Sequence, residues 1–163
     1  MRGGETDAAA RERIRGLAAS AREAMPGRDD ARFTNLRRAE VGEPALLRDA
    51  AGEPALWLVP FIVDAAACGF ARLSLDGDLE GIGIYGGAAD DRRSWIAADF
   101  FRRPPAAAVD EARAAYPAAT FAAPVLSFER APSQLAWRID ARLAGGDDLW
   151  IMIAPGGWYA RPR

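Results

Sequence analysis

The sequence predicts an α+β fold made of two helix-plus-antiparallel-sheet units, which could pack as one domain. The stretch from Leu135 to Arg161 alternates apolar and charged residues, breaks at turn residues and then resumes, as a meander of strands would. A looser version of this pattern runs from Leu56 to Tyr85. A helical pattern precedes each copy, and a duplication is one explanation for the repeat.

The same pattern divides the 163 residues into segments. It predicts an N-terminal α+β unit at 5–90, a linker segment at 91–105 and a C-terminal α+β unit at 106–163. The linker is placed by the arginine and proline pairs at 102–105. Proline is tolerated in the first turn of a helix, so the second helix is expected to begin there.

The N-terminal half begins with a predicted helix over Glu5–Met25, where apolar residues recur at spacings of three and four. A hairpin follows, with arms at Ala45–Asp49 and Ala55–Val63 joined by a Gly-Glu-Pro turn. Strands are predicted at Cys68–Leu75 and Leu79–Tyr85. An Asp-Gly dipeptide, which favours tight hairpins, separates these two strands.

Other segments give weaker patterns. Leu36–Val41 is consistent with a short strand, and Ser94–Phe101 fits either a strand or a helix capped by its serine. The C-terminal half predicts a helix that stops at Pro117 and a strand over Phe121–Glu129.

The predicted strand at Leu135–Leu143 has one apolar and one charged face, as a half-buried antiparallel strand would. Arg138, Asp140 and Arg142 share the charged face. This row of side chains is interpreted either as the lining of a possible pocket or as a solvated face with weak ion pairs.

The next strand, Leu149–Ile153, is apolar on both faces. It is either a central strand covered on both sides or a strand with an exposed aromatic patch that meets a partner. The second interpretation predicts partner-binding residues on this strand and after the Pro-Gly-Gly corner that follows it. They are Trp150, Met152, Trp158 and Tyr159.

Composition excludes several classes of function. A net charge of −2 predicts no general affinity for nucleic acid or anionic membranes. The absence of histidine removes Ser-His-Asp and Cys-His catalysis and the commonest metal ligand. Cys68 is the single cysteine, and its apolar neighbours predict a buried, inert thiol. No metal site or cofactor is therefore expected.

The sequence also bears on location and source. It contains neither a signal-peptide core nor an apolar run of transmembrane length, so the simplest expectation is a soluble cytoplasmic protein, unless a leader has been removed. Every basic residue is arginine, which is consistent with codon bias in a GC-rich bacterium.

The second half, from Ala106 to Arg161, resembles PepSY-type domains. The resemblance lies in a helix followed by an antiparallel sheet and in the phrase LAWRIDARLAGGDDLWIMIAPGG. The first half is looser and is similar to cystatin-like units. The resemblance implies inhibitory or regulatory binding, often by a protease pro-segment outside the cytoplasm, and it supplies no catalytic residues. This sequence shows neither a secretion signal nor an attached protease.

Two hypotheses about function remain open. The first is a non-enzymatic protein-binding or regulatory module that meets a protein partner, or a second copy of itself, through an edge strand or an aromatic patch. The alternative is an NTF2-like small-molecule pocket protein or a His-free acid/base enzyme of the cyclase or isomerase type. The alternative predicts a closed cavity lined by tryptophan that holds a carboxylate or an arginine.

Overall fold

Helices and strands account for most of the part of the chain that the structure describes. The structure is a computed structural model, and it describes residues 7–25, 33–86, 92–128 and 134–163. The helices are α1 (Asp7–Glu23), α2 (Thr34–Arg38) and α3 (Ala106–Ala115). The strands are β1 (Glu40–Val41), β2 (Ala45–Arg48), β3 (Pro54–Val63), β4 (Ala66–Leu73), β5 (Leu79–Ile84), β6 (Ile96–Ala97), β7 (Thr120–Phe121), β8 (Val125–Phe128), β9 (Leu135–Arg142), β10 (Asp148–Ala154) and β11 (Gly157–Pro162).

The predicted fold class is wrong. The described strands belong to one eleven-stranded mixed sheet and do not form two helix-plus-antiparallel-sheet units. The mixed character comes from β2, which runs parallel to β8 with Arg48 opposite Ser127. Ser127 Oγ also donates a hydrogen bond of 2.6 Å to the Arg48 carbonyl, across a sequence separation of 79 residues. Local alternation reveals strands but does not reveal a parallel partner at that distance, so it suggested two local meanders.

The chain divides into two compact units. The first comprises Met1–Leu46 and Pro54–Ala98, and the second comprises Leu47–Glu53 and Asp99–Arg163. The second unit thus takes a short turn segment from the N-terminal part of the chain. The predicted boundary at residue 90 lies outside the described residues.

In the first unit, β4 pairs with β3 and β5, and all three strands are antiparallel. The short strands β1 and β6 add to β3 and β4. Helix α1 lies against this sheet and buries Ile14 and Ala18 on its apolar stripe. The same core contains Val59, Phe61 and Leu73. Each large apolar side chain buried in this way stabilises the fold by about 1.5–3 kcal/mol.

Two segments differ from the structure that their sequence suggests. Leu36–Val41 is not a continuous strand, because its first residues belong to α2 and only Glu40–Val41 pairs with β3. Leu36 is buried in the core of the first unit, so tertiary packing outweighs the weak local preference. The ambiguous segment Ser94–Phe101 forms the two-residue strand β6 followed by a 3-10 turn.

In the second unit, β8, β9, β10 and β11 pair in order as antiparallel neighbours, and β7 pairs with β9. Helix α3 packs against β10 and β11. Trp158 faces this helix, since its indole nitrogen donates to Glu111 of α3. Ile151 and Ile153 alternate onto the same face as Trp158 and are fully buried. The opposite face of these strands carries the charged side chains.

Candidate functional site

Three strands of the second unit place nine side chains in a regular array, which we call the arginine–tryptophan grid. The register of β9, β10 and β11 aligns them in three rows, each running from β9 through β10 to β11 or the residue after it. The rows are Arg142–Asp148–Arg163, Asp140–Trp150–Arg161 and Arg138–Met152–Tyr159. Neighbours in a row have Cβ atoms about 4.5–5.5 Å apart, so the side chains can interact directly.

Arg138 is the buried anchor of the grid, with only 5% of the residue exposed. Its Nη1 atom donates to the carbonyl oxygens of Asp49 at 2.9 Å and Ala50 at 2.8 Å. Both carbonyls belong to the turn that the second unit takes from the N-terminal part of the chain. Burying a guanidinium group is costly unless its donors are satisfied, so the turn and Arg138 stabilise each other.

The turn approaches Arg138 closely at Gly52. This residue has a φ of +88°, and a Cβ atom there would lie 3.4 Å from Arg138 Nη2. A left-handed conformation is strained for residues with a side chain, so glycine is favoured on conformational grounds as well. Arg48 Nη1 adds a hydrogen bond of 2.8 Å to the Gly52 carbonyl.

Asp140 forms an ion pair with Arg138. Arg138 Nε lies 3.4 Å from Asp140 Oδ1. The geometry is not that of a hydrogen bond, and both atoms are buried without a hydrogen-bond partner within the described ranges. Asp140 therefore balances the charge of Arg138, and its carboxylate retains lone pairs that accept no hydrogen bond from Arg138.

Trp150 lies at the centre of the grid, and both neighbouring strands place guanidinium groups over its ring. The Arg138 guanidinium carbon is 5.3 Å from the ring centroid, and that of Arg161 is 4.8 Å away. A cation–π contact is worth about 0.5–2 kcal/mol, with the larger values at desolvated sites. The Trp150 indole nitrogen is buried and has no hydrogen-bond acceptor in the described part of the chain.

The four residues predicted to bind a partner divide between the two faces of the sheet. Trp150, Met152 and Tyr159 belong to the grid, whereas Trp158 lies on the helix side, 3.1 Å from the Glu111 carboxylate. Met152 is only 1% exposed, so it contributes packing to the grid and no accessible surface. Tyr159 is 37% exposed and is the most accessible aromatic side chain of the grid.

The residues predicted to line a pocket form the β9 column of the grid, with Arg138 and Asp140 paired and Arg142 exposed. Sequence reasoning missed Arg161 and Arg163. The sequence does place both arginines on the same strand face as Tyr159, because side chains alternate between faces along β11. Only the pairing of β11 with β10, however, brings them beside Trp150 and Asp148.

The charge of the grid is opposite in sign to that of the whole chain. Four arginines and two aspartates give the grid a net charge of +2, whereas the chain carries 21 basic and 23 acidic residues and a net charge of −2. Arg163 lies 3.9 Å from Asp148, a weak and exposed ion pair. The Arg142 side chain forms no ion pair or hydrogen bond with any described residue.

The first unit contains a separate open groove of about 530 Å³ between α1 and the segment that leads into β1. Its charged lining consists of Glu12, Arg15, Arg22 and Glu40. Arg15 lies 3.7 Å from both Glu12 and Glu43, so its charge is already compensated. No tryptophan lines this groove.

Two buried groups of the first unit are poor candidates for acid–base or nucleophilic chemistry. Burial raises the pKa of the Cys68 thiol, which donates to the Phe61 carbonyl over 3.4 Å. The thiol is therefore protonated at neutral pH and is a weak nucleophile. Burial likewise raises the pKa of the Tyr85 hydroxyl.

The described residues contain neither a group of three or more metal-binding side chains nor a helix long and apolar enough to span a membrane. No protein-family model matches the chain, and neither a curated protein nor a solved structure matches it.

Proposed function

We propose that this protein is a non-enzymatic protein-binding or regulatory module that engages its partner through the arginine–tryptophan grid. The observation that carries this proposal is the half-buried Trp150, over whose ring the Arg138 and Arg161 guanidinium groups lie at 5.3 and 4.8 Å. These contacts hold the aromatic and cationic side chains in a fixed arrangement at a sheet surface.

The chemistry of the grid supports binding to protein. Tryptophan, tyrosine and arginine are the residue types most enriched at the energetic centres of protein interfaces. Binding loses less conformational entropy when such side chains are already ordered. Trp150 is ordered by its neighbours, and Tyr159 offers exposed aromatic surface beside it.

A small-molecule pocket or His-free enzyme has less support. That alternative requires a closed cavity with tryptophan and a carboxylate or arginine in its walls. The groove of the first unit is open and lacks tryptophan, and its arginine at position 15 lies between two glutamates. In the grid, Asp140 is paired with Arg138 and is not available as an isolated base.

The resemblance of the second half to PepSY-type domains suggests what the binding is for. Such domains are associated with regulation or inhibition of a protein partner. We extend the proposal to a regulatory role of this kind in the cytoplasm of a GC-rich bacterium, with self-association through the grid as its variant.

A pull-down from lysate of the source organism tests the proposal. The tagged full chain should retain one protein in stoichiometric amount, and the Tyr159→Ala variant should lose it. Tyr159 is 37% exposed, so this substitution removes accessible aromatic surface from the grid. Trp150→Ala should have the same effect on binding.

Tyr116→Ala is the matched control, because Tyr116 follows α3 and lies outside the grid. This variant should retain the partner. A second copy of the chain, detected as a dimer lost in Tyr159→Ala, would identify self-association as the binding event. Retention unaffected by the grid variants, or a monomer that retains nothing, would contradict the proposal.

A further inference from the structure

We infer that the protein forms a two-fold dimer through the outer edge of β5, so that the sheet of one copy continues into the sheet of a second copy. Strand β5 belongs to the first unit, whereas the arginine–tryptophan grid belongs to the second. The inference therefore does not depend on the proposed function. It is carried by the backbone groups of β5, by the apolar side chains beside the strand and by the symmetry of its sequence.

Strand β5 ends the strand order, and one side of its backbone has no partner strand in the described part of the chain. The Tyr85 N–H donates to the Cys68 carbonyl over 2.8 Å, so the bonds to β4 come from Tyr85 and from the residues two and four before it. The N–H and C=O groups of Ile82 and Ile84 point the other way, and no described residue hydrogen-bonds to them.

Strands β5 and β11, at the two ends of the strand order, differ in how well they resist pairing with another chain. Natural edge strands are often protected by proline or by charged side chains. Arg161, Pro162 and Arg163 lie on or beside β11. Strand β5 has neither proline nor a basic residue, and its Glu80 lies at a register shift near one end. From Gly81 onward, the edge of β5 lacks this protection.

Exposed leucines border the same strand. Leu75 and Leu79, in and just after the β4–β5 turn, are 43% and 49% exposed. Leu17 of α1 is 40% exposed and lies against this turn, since a Cβ atom at Gly77 would come within 2.8 Å of it. Large apolar side chains are exposed at only one other place among the described residues, at Tyr159 of the grid. An apolar surface therefore accompanies the unpaired edge.

The sequence of β5 is complementary to itself. In an antiparallel two-fold pairing with Gly83 on the axis, Ile82 lies opposite Ile84 of the partner subunit, and every outward N–H and C=O group of these two residues is satisfied. Cross-strand pairs of β-branched residues are favourable, and like charges do not meet because Glu80 faces Gly86 of the partner subunit. Two-fold dimers require such a self-complementary surface. These features identify a second copy as the occupant of the edge.

Sedimentation velocity of the full chain at a series of concentrations tests the inference. The wild-type protein should sediment as a dimer that dissociates on dilution. Amide hydrogen exchange followed by NMR gives a second measurement on the same protein. In the dimer, the amides of Ile82 and Ile84 should exchange as slowly as the amide of Gly83, which faces β4.

Ile84→Pro removes an outward N–H from each copy and no hydrogen bond within the chain, and proline is tolerated on edge strands where the N–H faces outward. The preceding residue, Gly83, lacks the Cβ atom with which a proline ring clashes. Loss of the two symmetry-related bonds should raise the dimer dissociation constant at least about ten-fold. Ile84→Val keeps the N–H and should dimerise like the wild type.

Ala160→Pro is the matched control on the other edge strand. The Arg163 N–H donates to the Asp148 carbonyl, so by the same alternation the N–H of Ala160 points away from β10. This variant places proline in an equivalent position on β11 and should leave the dimer intact.

A monomer at every concentration would overturn the inference, as would fast exchange at Ile82 and Ile84 while Gly83 is protected. A dimer that Ala160→Pro or Tyr159→Ala dissociates, and Ile84→Pro does not, would overturn it by placing the interface on β11 or the grid. The exchange rates of the wild-type protein decide the question even if Ile84→Pro does not fold. Partner retention through the grid is a separate result, so either proposal can fail while the other stands.

Discussion

Arg138 shows how one buried cation can order both a surface and a turn. Replacement by methionine keeps much of the side-chain length but removes the donor to the Asp49 and Ala50 carbonyls and the ion-pair partner of Asp140. Breaking a buried pair leaves uncompensated polar groups, so we expect Arg138→Met to lower the free energy of unfolding by about 2–4 kcal/mol.

Urea unfolding followed by tryptophan fluorescence measures this change. Arg142→Met is the matched control, since Arg142 lies on the same strand face but is exposed, and its effect should stay within about 0.5 kcal/mol. Equal losses for the two variants would mean that the contacts of Arg138 contribute nothing beyond those of a surface arginine.

The turn between β3 and β4 has two residues in the left-handed region without being glycine. Asp64 has a φ of 51° and Ala65 a φ of 62°. The left-handed conformation costs an alanine about 1–2 kcal/mol. Glycine avoids this steric cost but loses more backbone entropy on folding, so only part of the cost is recovered. We expect Ala65→Gly to raise the free energy of unfolding by up to about 1 kcal/mol.

The same substitution in a right-handed helix should have the opposite sign. Ala108→Gly in α3 is expected to lower the free energy of unfolding by roughly 0.5–1 kcal/mol, because glycine is less favourable than alanine there. Paired thermal melts of the two variants test this, and a loss of stability in Ala65→Gly would contradict the argument.

At the scale of elements, two glycines respond differently to the same added methyl group. Gly83 lies on β5 opposite Phe70, and a Cβ atom there would come within 2.4 Å of the Phe70 ring. Gly16 is inside α1 and would meet nothing within 4 Å. We expect Gly83→Ala to cost about 1–3 kcal/mol by overpacking and Gly16→Ala to stabilise by about 0.5–1 kcal/mol through helix propensity.

Denaturant midpoints of the two variants, measured side by side, separate these effects. A neutral Gly83→Ala would show that Phe70 moves without loss. A destabilising Gly16→Ala would show that the outer face of α1 has contacts beyond those among the described residues.

Among the features of the fold, the individual helices and strands were the ones that the local sequence pattern predicted best. The strand predicted at Leu135–Leu143 is β9, and the helix predicted to end by Pro117 is α3. These segments have clear periods and clear breaks, which is the information that sequence alone contains. Side-chain packing between strands is not contained in these periods: at Gly83 of β5, the ring of Phe70 from the neighbouring strand occupies the space where a Cβ atom would lie.

At the scale of the molecule, pairing between distant strands lay beyond sequence reasoning. The parallel contact of β2 with β8 has no local signature, and it makes the sheet mixed. The same limit applies to the grid. Alternation on β9 and β10 indicated two of its columns, but the third requires knowing that β11 pairs with β10 so that Arg161 lies opposite Trp150.

The response of the whole molecule to alkali follows from its buried neutral acids. Burial raises the pKa of Cys68 and Tyr85 above their ordinary values of 9.0 and 10.0. Above those values the unfolded chain has lost protons that the native state keeps, so the free energy of unfolding falls as pH rises. Below about pH 9 the stabilisation from both groups is fully present.

Urea midpoints measured from pH 7 to about pH 11 should therefore be insensitive to these groups at first and then decline. Tyr85→Phe should reduce the decline above pH 10. It should cost little at neutral pH, because the hydroxyl has no hydrogen-bond partner among the described residues. An unchanged slope in Tyr85→Phe would contradict this origin of the alkaline sensitivity.

The hydrogen bonds from Arg138 to the turn affect how the chain folds during its synthesis. Its carbonyls at Asp49 and Ala50 emerge from the ribosome 89 and 88 residues before the arginine that binds them. The first unit can begin to fold while this turn still lacks its donor, because the second unit depends on contacts between distant parts of the chain. A nascent chain would therefore pass through a stage in which the carbonyls of this turn lack the Arg138 donor, when the turn is most open to chaperones and proteases.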